Sequence, residues 1–268
     1  MKLTNRIQDI YYTLRVAAAM CFIGHGAFGI ITKAIWCNYF AVFGIGHDLA
    51  YRLMPVLGSI DILLGISLLI YPVRTVILWL VAWGFITASL RPLSGEPFAE
   101  MIERAGNYGA PLALLLLSGV EKDPASWFQK MKPPLLVSES RIKNVEICLR
   151  LVAFLLLTGH GWLNLAGKQA LIRQYTLLGF DNVHHVGLTA GLIEITAALI
   201  ILIRPARDFL LVFVVWKMAT ELFYPHWQVF EWIERGGSYG TLLALWLVLK
   251  PVNLPKRIIR LNPSTRAA

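Results

Sequence analysis

The chain has 268 residues, of which 57% are hydrophobic and only 15% charged, with a mean hydropathy of +0.61. Soluble domains carry about 25% charged residues, so this composition excludes a cytosolic enzyme, a nucleic-acid module and a disordered scaffold, and it indicates a multi-span membrane protein. The net charge of +9 then marks a cytoplasmic face rather than a nucleic-acid partner.

In chain order, apolar runs suited to crossing a hydrocarbon core of about 30 Å fall at residues 14–32, 53–71, 74–91 and 106–120, and again at 147–165, 186–203, 207–224 and 238–250. They are continuous rather than alternating, which predicts helices and not barrel strands. The expected fold is an all-α membrane protein with eight transmembrane helices. Eight spans place both termini on one side, with the connections near Arg74, residues 121–146 and Arg204/Arg207. That side collects most lysines and arginines, which predicts cytoplasmic termini in a cell inner membrane, with the lipid bilayer as the first partner. A cleaved signal peptide would also begin with Lys2, Arg6 and Arg15 ahead of an apolar run. The recurrence of the same helix inside the chain argues against that reading.

The recurrence is extensive. Arg15, Gly24, His25, Gly26, Lys33 and Gly44 return at a shift of 135 as Arg150, Gly159, His160, Gly161, Lys168 and Gly179. Gly58, Asp61, Arg74, Trp83, Thr87 and Pro92 return at a shift of 133 as Gly191, Glu194, Arg207, Trp216, Thr220 and Pro225. IERAGNYG at 102–109 returns as IERGGSYG at 233–240. The expected organisation is a first four-helix repeat at 1–120, a cytoplasmic linker at 121–146, and a second four-helix repeat with a basic tail at 147–268. Four spans restore the starting side, so the repeats are expected to be parallel. The repeated polar residues then converge on the extracytoplasmic half of the bundle, with Asp61 and Glu194 nearer its middle.

An arginine-led first helix carrying Phe22-Ile23-Gly24-His25-Gly26 and Lys33, and again Thr158-Gly159-His160-Gly161 and Lys168, resembles the DoxX-like family of small membrane proteins. The resemblance covers each half and implies a tandem DoxX-like chain. The lysine lies further from the HG pair than the family pattern has it. The family includes subunits linked to thiosulfate:quinone oxidoreduction, so the resemblance implies a redox-associated subunit. It transfers no catalytic residue.

The candidate site residues each carry two readings. His25 and His160 stand at one depth on equivalent helices and could ligate a haem iron as a cofactor; the plainer reading is a hydrogen bond across the bundle, with the flanking glycines allowing close packing. Asp61 and Glu194 are acids within apolar spans, suited either to proton exchange with a quinone or to a tie to His, Trp or Arg. Trp216-Lys217 and Thr220-Glu221 depart from the first half's Trp83-Gly84 and Thr87-Ala88. Lys217 and Glu221 share a helix face. With Glu194 and His160 they form the expected catalytic cluster, or else a buried ion pair that fixes packing. Glu103-Arg104 with Tyr108, and Glu234-Arg235 with Tyr239, are expected at outer helix entrances, where the arginines bind an anionic substrate or close a local clamp. His184, His185 and His226 cluster near the outer interface of the second half, against His47 alone in the first.

No GxGxxG, Walker, HExxH or GxSxG motif appears. Cys21, Cys37 and Cys148 form neither a dithiol centre nor a metal site. The leading expectation is a redox-associated membrane subunit handling quinone, or a small sulfur or acidic substrate, beside a partner redox subunit. The site is expected in the outer half of the second repeat. A membrane anchor or assembly subunit and a small-solute transporter are the alternatives.

Overall fold

A computed structural model describes residues 3–119, 121, 123–222 and 228–249. Pro225, His226, Trp227 and the basic tail from Lys250 lie outside the described residues. The first half forms α1 (Leu3–Ile30), α2 (Trp36–Ala41), α3 (His47–Ile70), α4 (Arg74–Leu93), α5 (Phe98–Glu103) and α6 (Ala105–Ser118). A 3-10 turn at Pro124–Phe128 follows. The second half forms α7 (Glu139–Leu165), α8 (Gln169–Leu177), α9 (Val183–Ile203), α10 (Arg207–Leu222), α11 (Gln228–Glu234) and α12 (Gly236–Val248).

Four helices are long and apolar enough to cross a membrane: Asn5–Ile30, His47–Ile70, Arg74–Leu93 and Val183–Ile203. They make the chain a multi-pass membrane protein. Val56, Leu63 and Ile70 on α3, Trp79 and Phe85 on α4, and Leu192 and Ile203 on α9 are exposed and give it a lipid-facing surface. The expected eight spans are corrected to these four. A span needs about 20 residues, but α6 has 14, α12 has 13 and α10 has 16 within the described chain. Most of α6 and α12 is buried by neighbouring helices. Their runs are apolar because they are core helices, and hydropathy does not distinguish protein from lipid as the burying medium. The helix α7 has 27 residues, but it carries Glu139, Arg141, Lys143, Glu146 and Arg150 in its first half.

Nor are there two separate four-helix bundles. The helix α1 packs along α3 of its own half and then along α11 and α12 of the other, while α7 packs along α9, α5 and α6. The two glycines of the GHG segments explain the crossing. A Cβ at Gly24 would enter the backbone of Glu234, and one at Gly159 the backbone of Glu103. Backbone cannot yield as a flexible side chain can. Gly24→Ala and Gly159→Ala are therefore each expected to destabilise the protein by about 1–3 kcal/mol, measured as a lowered unfolding midpoint in detergent.

Arginines close one end of the bundle. Arg15 donates to the carbonyls of Leu68 and Leu69 at the end of α3, and Arg150 to those of Ile201, Leu202 and Ile203 at the end of α9. Arg6 does the same for Leu247 and Val248 at the end of α12. These carbonyls lack helical partners, and the negative end of the helix dipole favours a cation there. The opposite end, where α1 and α4 finish and α3 begins, holds the buried acids Glu100, Glu103, Glu231 and Glu234 with Lys33, Lys168, Arg104 and Arg235.

Candidate functional site: a charged core beside an apolar cavity

The helix breaks at Arg104 and Arg235 build the charged core. Each separates a short helix from a longer one, α5 from α6 and α11 from α12, and turns its Glu-Arg pair inward. Arg104 Nη1 donates to Glu100 Oε2 at 2.8 Å and to Glu103 Oε2 at 2.9 Å. Arg235 Nη1 reaches Glu103 Oε1 at 2.9 Å, and its Nε lies 3.7 Å from Glu221 Oε2. Lys168 holds Glu100 at 2.7 Å, and Lys33 holds Glu231 at 2.7 Å. Both lysine pairs join one half to the other. Glu103, Arg104 and Arg235, expected at outer helix entrances, are all buried.

Burial alone would raise the Glu100 carboxyl, but Arg104 and Lys168 beside it bring it down to about 2 from an ordinary 4.5. A depressed carboxylate stabilises the fold above its unfolded value and loses that contribution as the pH falls through its folded value. Stability is expected to decline as the pH drops from 4.5 towards 2. Glu100→Gln is expected to flatten that dependence, read from unfolding midpoints across an acid series.

The histidines form one dyad in each half. His25 Nδ1 lies 2.8 Å from Asp61 Oδ2, with its ring stacked on Trp36. His160 Nδ1 lies 2.6 Å from Glu194 Oε2. The second dyad is more fully held: Asn164 Nδ2 donates to Glu194 at 3.2 Å, Trp216 Nε1 donates to its other oxygen at 3.2 Å, and the Tyr175 hydroxyl donates to Asn164 at 2.6 Å. Lys217, only 1% exposed, donates to Glu221 Oε1 at 3.0 Å. The Thr220 hydroxyl turns back to the Lys217 carbonyl. Tyr108 lies edge-on to Phe85, and Tyr239 is buried beside Trp232. The structure thus brings Glu194 and His160 together, sets Lys217 and Glu221 beside them, and leaves Tyr108 apart. His184 and His185 are exposed and line a recess of about 290 Å³ in the second half.

Glu103, His160 and Glu221 place one ligand atom each within 4.8 Å of one another, the group among the described residues with metal-ligand geometry. Arg235 and Lys217 already lie on those two carboxylates. A divalent ion would add charge to a balanced cluster, so the residues fit a protein-internal ion-pair network better than a metal centre.

The first half differs at the positions matching Lys217 and Glu221. Gly84 and Ala88 stand there, and Gly84 packs against the backbone of Asn107 on α6. A cavity of about 300 Å³ lies between α1, α2, α3, α4 and α6, lined on α4 by Trp83, Thr87, Leu90 and Arg91. Its wall is largely aromatic and aliphatic, including Trp36, Tyr39, Phe40, Leu57 and Trp83. Phe43 and Val56, both exposed, stand on its lining. Polar groups gather at one end: His25, Arg91, Arg104, Asn107 and Glu234. Three buried polar atoms of the lining residues, Trp83 Nε1, Arg104 Nε and Asn107 Oδ1, have no hydrogen-bond partner among the described residues. Trp83 is the counterpart of Trp216, which donates to Glu194; the first half has the shorter Asp61 instead, and the indole N–H is left without an acceptor.

No family model matches the chain, and no curated protein and no solved structure is similar to it. The DoxX-like resemblance is therefore corrected: no family model supports it, and four long apolar helices do not make a tandem eight-helix repeat. The expected redox-associated subunit, with its quinone or acidic substrate, is corrected as well. The residues chosen for proton exchange are held in ion pairs and hydrogen bonds within a folded, charged core, and nothing identifies a partner redox subunit. Sequence reasoning missed Trp36, Asn107 and the cavity. Trp83 and Thr87, which line it, stand in the sequence only as repeat counterparts of Trp216 and Thr220.

Proposed function

We propose that this membrane protein binds a small amphipathic molecule in the first-half cavity. Its apolar body rests against Trp36, Phe40 and Leu57, and an oxygen of its polar end accepts hydrogen bonds from Trp83 Nε1 and Arg104 Nε. The observation that carries this reading is a cavity of about 300 Å³ with a largely apolar wall, whose lining residues Trp83, Arg104 and Asn107 each hold a buried polar atom without a partner among the described residues. Buried donors without acceptors cost about 1–3 kcal/mol each, and a ligand oxygen relieves that cost. Ligand pockets of this kind combine an apolar wall with a few convergent polar groups. The ligand enters past Phe43 and Val56. In this reading the arginine-closed end of the bundle, with both termini, faces the cytoplasm of an inner membrane, because Arg15, Arg74, Arg150 and Arg207 gather there.

The test is saturable quenching of tryptophan fluorescence by bromoundecanol, with the protein reconstituted in phosphatidylcholine bilayers. Trp36 and Trp83 on the cavity wall report occupancy. Leu57→Trp places a larger side chain in the cavity and is expected to abolish saturable binding without lowering the unfolding midpoint. Wild-type affinity in that variant would sink the assignment.

A further inference from the structure

We propose that the polar end of the bound molecule carries a positive charge, an ammonium group whose counterion is Glu234; this rests on the binding function proposed above. Glu234 is 5% exposed and lines the cavity, yet among the described residues its carboxylate makes no hydrogen bond or ion pair. Its counterpart in the repeat, Glu103, holds guanidinium nitrogens of both Arg104 and Arg235 at 2.9 Å. Two arginines that stand between two equivalent acids have both turned to one of them.

The groups whose charge acts on Glu234 are His25, Arg235, Arg104 and Lys33. Lys33 is engaged by Glu231, Arg104 by Glu100 and Glu103, and Arg235 by Glu103. His25 is engaged by Asp61. Every permanent cation in reach is thus committed elsewhere. Burial would raise the Glu234 carboxyl, but His25 and Arg235 hold it below the usual range, so it stands as an anion on a low-dielectric wall. An ammonium brought to it would make the direct ion pair that these more distant charges do not.

The rest of the wall suits a cation. Trp36, Tyr39, Phe40 and Trp83 line the cavity; His25 stacks on one face of Trp36, Trp79 on one face of Trp83, and Arg91 lies over Tyr39, and the negative face of a ring attracts an ammonium. Asn107 Oδ1 is an unpartnered acceptor on the same wall. An ammonium donating to Glu234 and Asn107, with a neighbouring oxygen accepting from Trp83 and Arg104, satisfies all four groups. The chemical class is an alkylamine with a hydroxyl or carbonyl oxygen near its nitrogen. Arg91 and Arg104 on the same lining are already paired with Glu96, Glu100 and Glu103, so an anionic end would meet Glu234 without an uncommitted arginine to offset it.

The experiment compares bromoundecylamine, bromoundecanol and bromoundecanoate at neutral pH on the full-length protein in phosphatidylcholine bilayers, each corrected for its bilayer mole fraction. The amine is expected to bind about tenfold tighter than the alcohol, and the acid more weakly than either. Glu234→Gln is expected to remove the amine's advantage and Glu234→Asp to keep part of it. Equal affinity for amine and alcohol, or tighter binding of the acid, would overturn the charge assignment while leaving the cavity as a binding site. Failure of all three to bind saturably would overturn the binding function itself. Should Glu234→Gln not insert, the ranking of the three heads on the wild-type protein decides the question alone.

Discussion

Replacing Lys217 by methionine is expected to destabilise the protein by roughly 3–5 kcal/mol, the usual cost of leaving one member of a buried ion pair behind. Lys217 and Glu221 are 1% and 3% exposed, with Nζ and Oε1 3.0 Å apart. After the substitution Glu221 keeps only Arg235, whose Nε is 3.7 Å from Oε2, and Arg235 is already engaged by Glu103. The paired variant Lys217→Met/Glu221→Leu removes both charges and is expected to recover most of the loss, because well-packed apolar replacements of a buried pair are often neutral or better. The first half supports this, since Gly84 and Ala88 occupy the equivalent positions without charge. Unfolding midpoints of the three proteins in one detergent supply the comparison. A paired variant no more stable than Lys217→Met would show that these residues contribute something other than mutual neutralisation.

The same comparison bears on why the candidate site lies where it does. Lys217 and Glu221 drew attention as charges gained by the second half, and a charge inside an apolar run is a reasonable marker of function. In the structure those charges satisfy each other, and the open space is lined by Trp83 and Thr87, each one residue before a small counterpart. Asp61 and Trp83 make the point in finer detail. Glu194 reaches both His160 and Trp216, whereas Asp61 reaches His25 and the Trp83 indole is left over. One methylene separates a closed polar set from an open one.

Other features were legible for definite reasons. The helices at His47–Ile70, Arg74–Leu93 and Val183–Ile203 follow from long apolar runs that lipid and protein alike would bury. The short helices α6 and α12 look the same in composition, and only their packing distinguishes them. The repeated Glu-Arg pairs appeared as helix starts, which they are for α6 and α12, but the preceding turns α5 and α11 fold them into the core. Partners such as Lys33 with Glu231 are 198 positions apart. A repeat pattern says that two segments are alike; it does not say that a residue of one will pair with the other copy.

That exchange between copies yields the second large effect. A cleavage site placed at Leu135-Leu136, both strongly exposed, is expected to sever the chain while leaving the two pieces together in detergent. The reason is the crossed packing: α1 lies along α11 and α12, α7 lies along α5 and α6, and Gly24, Gly159, Gly240 and Gly109 are points of close approach between the halves. Three ion pairs also cross, Lys33–Glu231, Lys168–Glu100 and Arg235–Glu103, at 2.7, 2.7 and 2.9 Å. A half without its partner would expose the apolar flank of α1 or α7 and strand buried charges at several kcal/mol each. The cut protein is therefore expected to migrate as one species with a nearly unchanged midpoint, whereas residues 1–120 made alone are expected to yield no monomeric folded protein. Separation of the pieces on mild cleavage would mean that each half carries its own core, and that the charged network joins two finished units. Retention places the network, and the cavity beside it, at the interface through which each half completes the other.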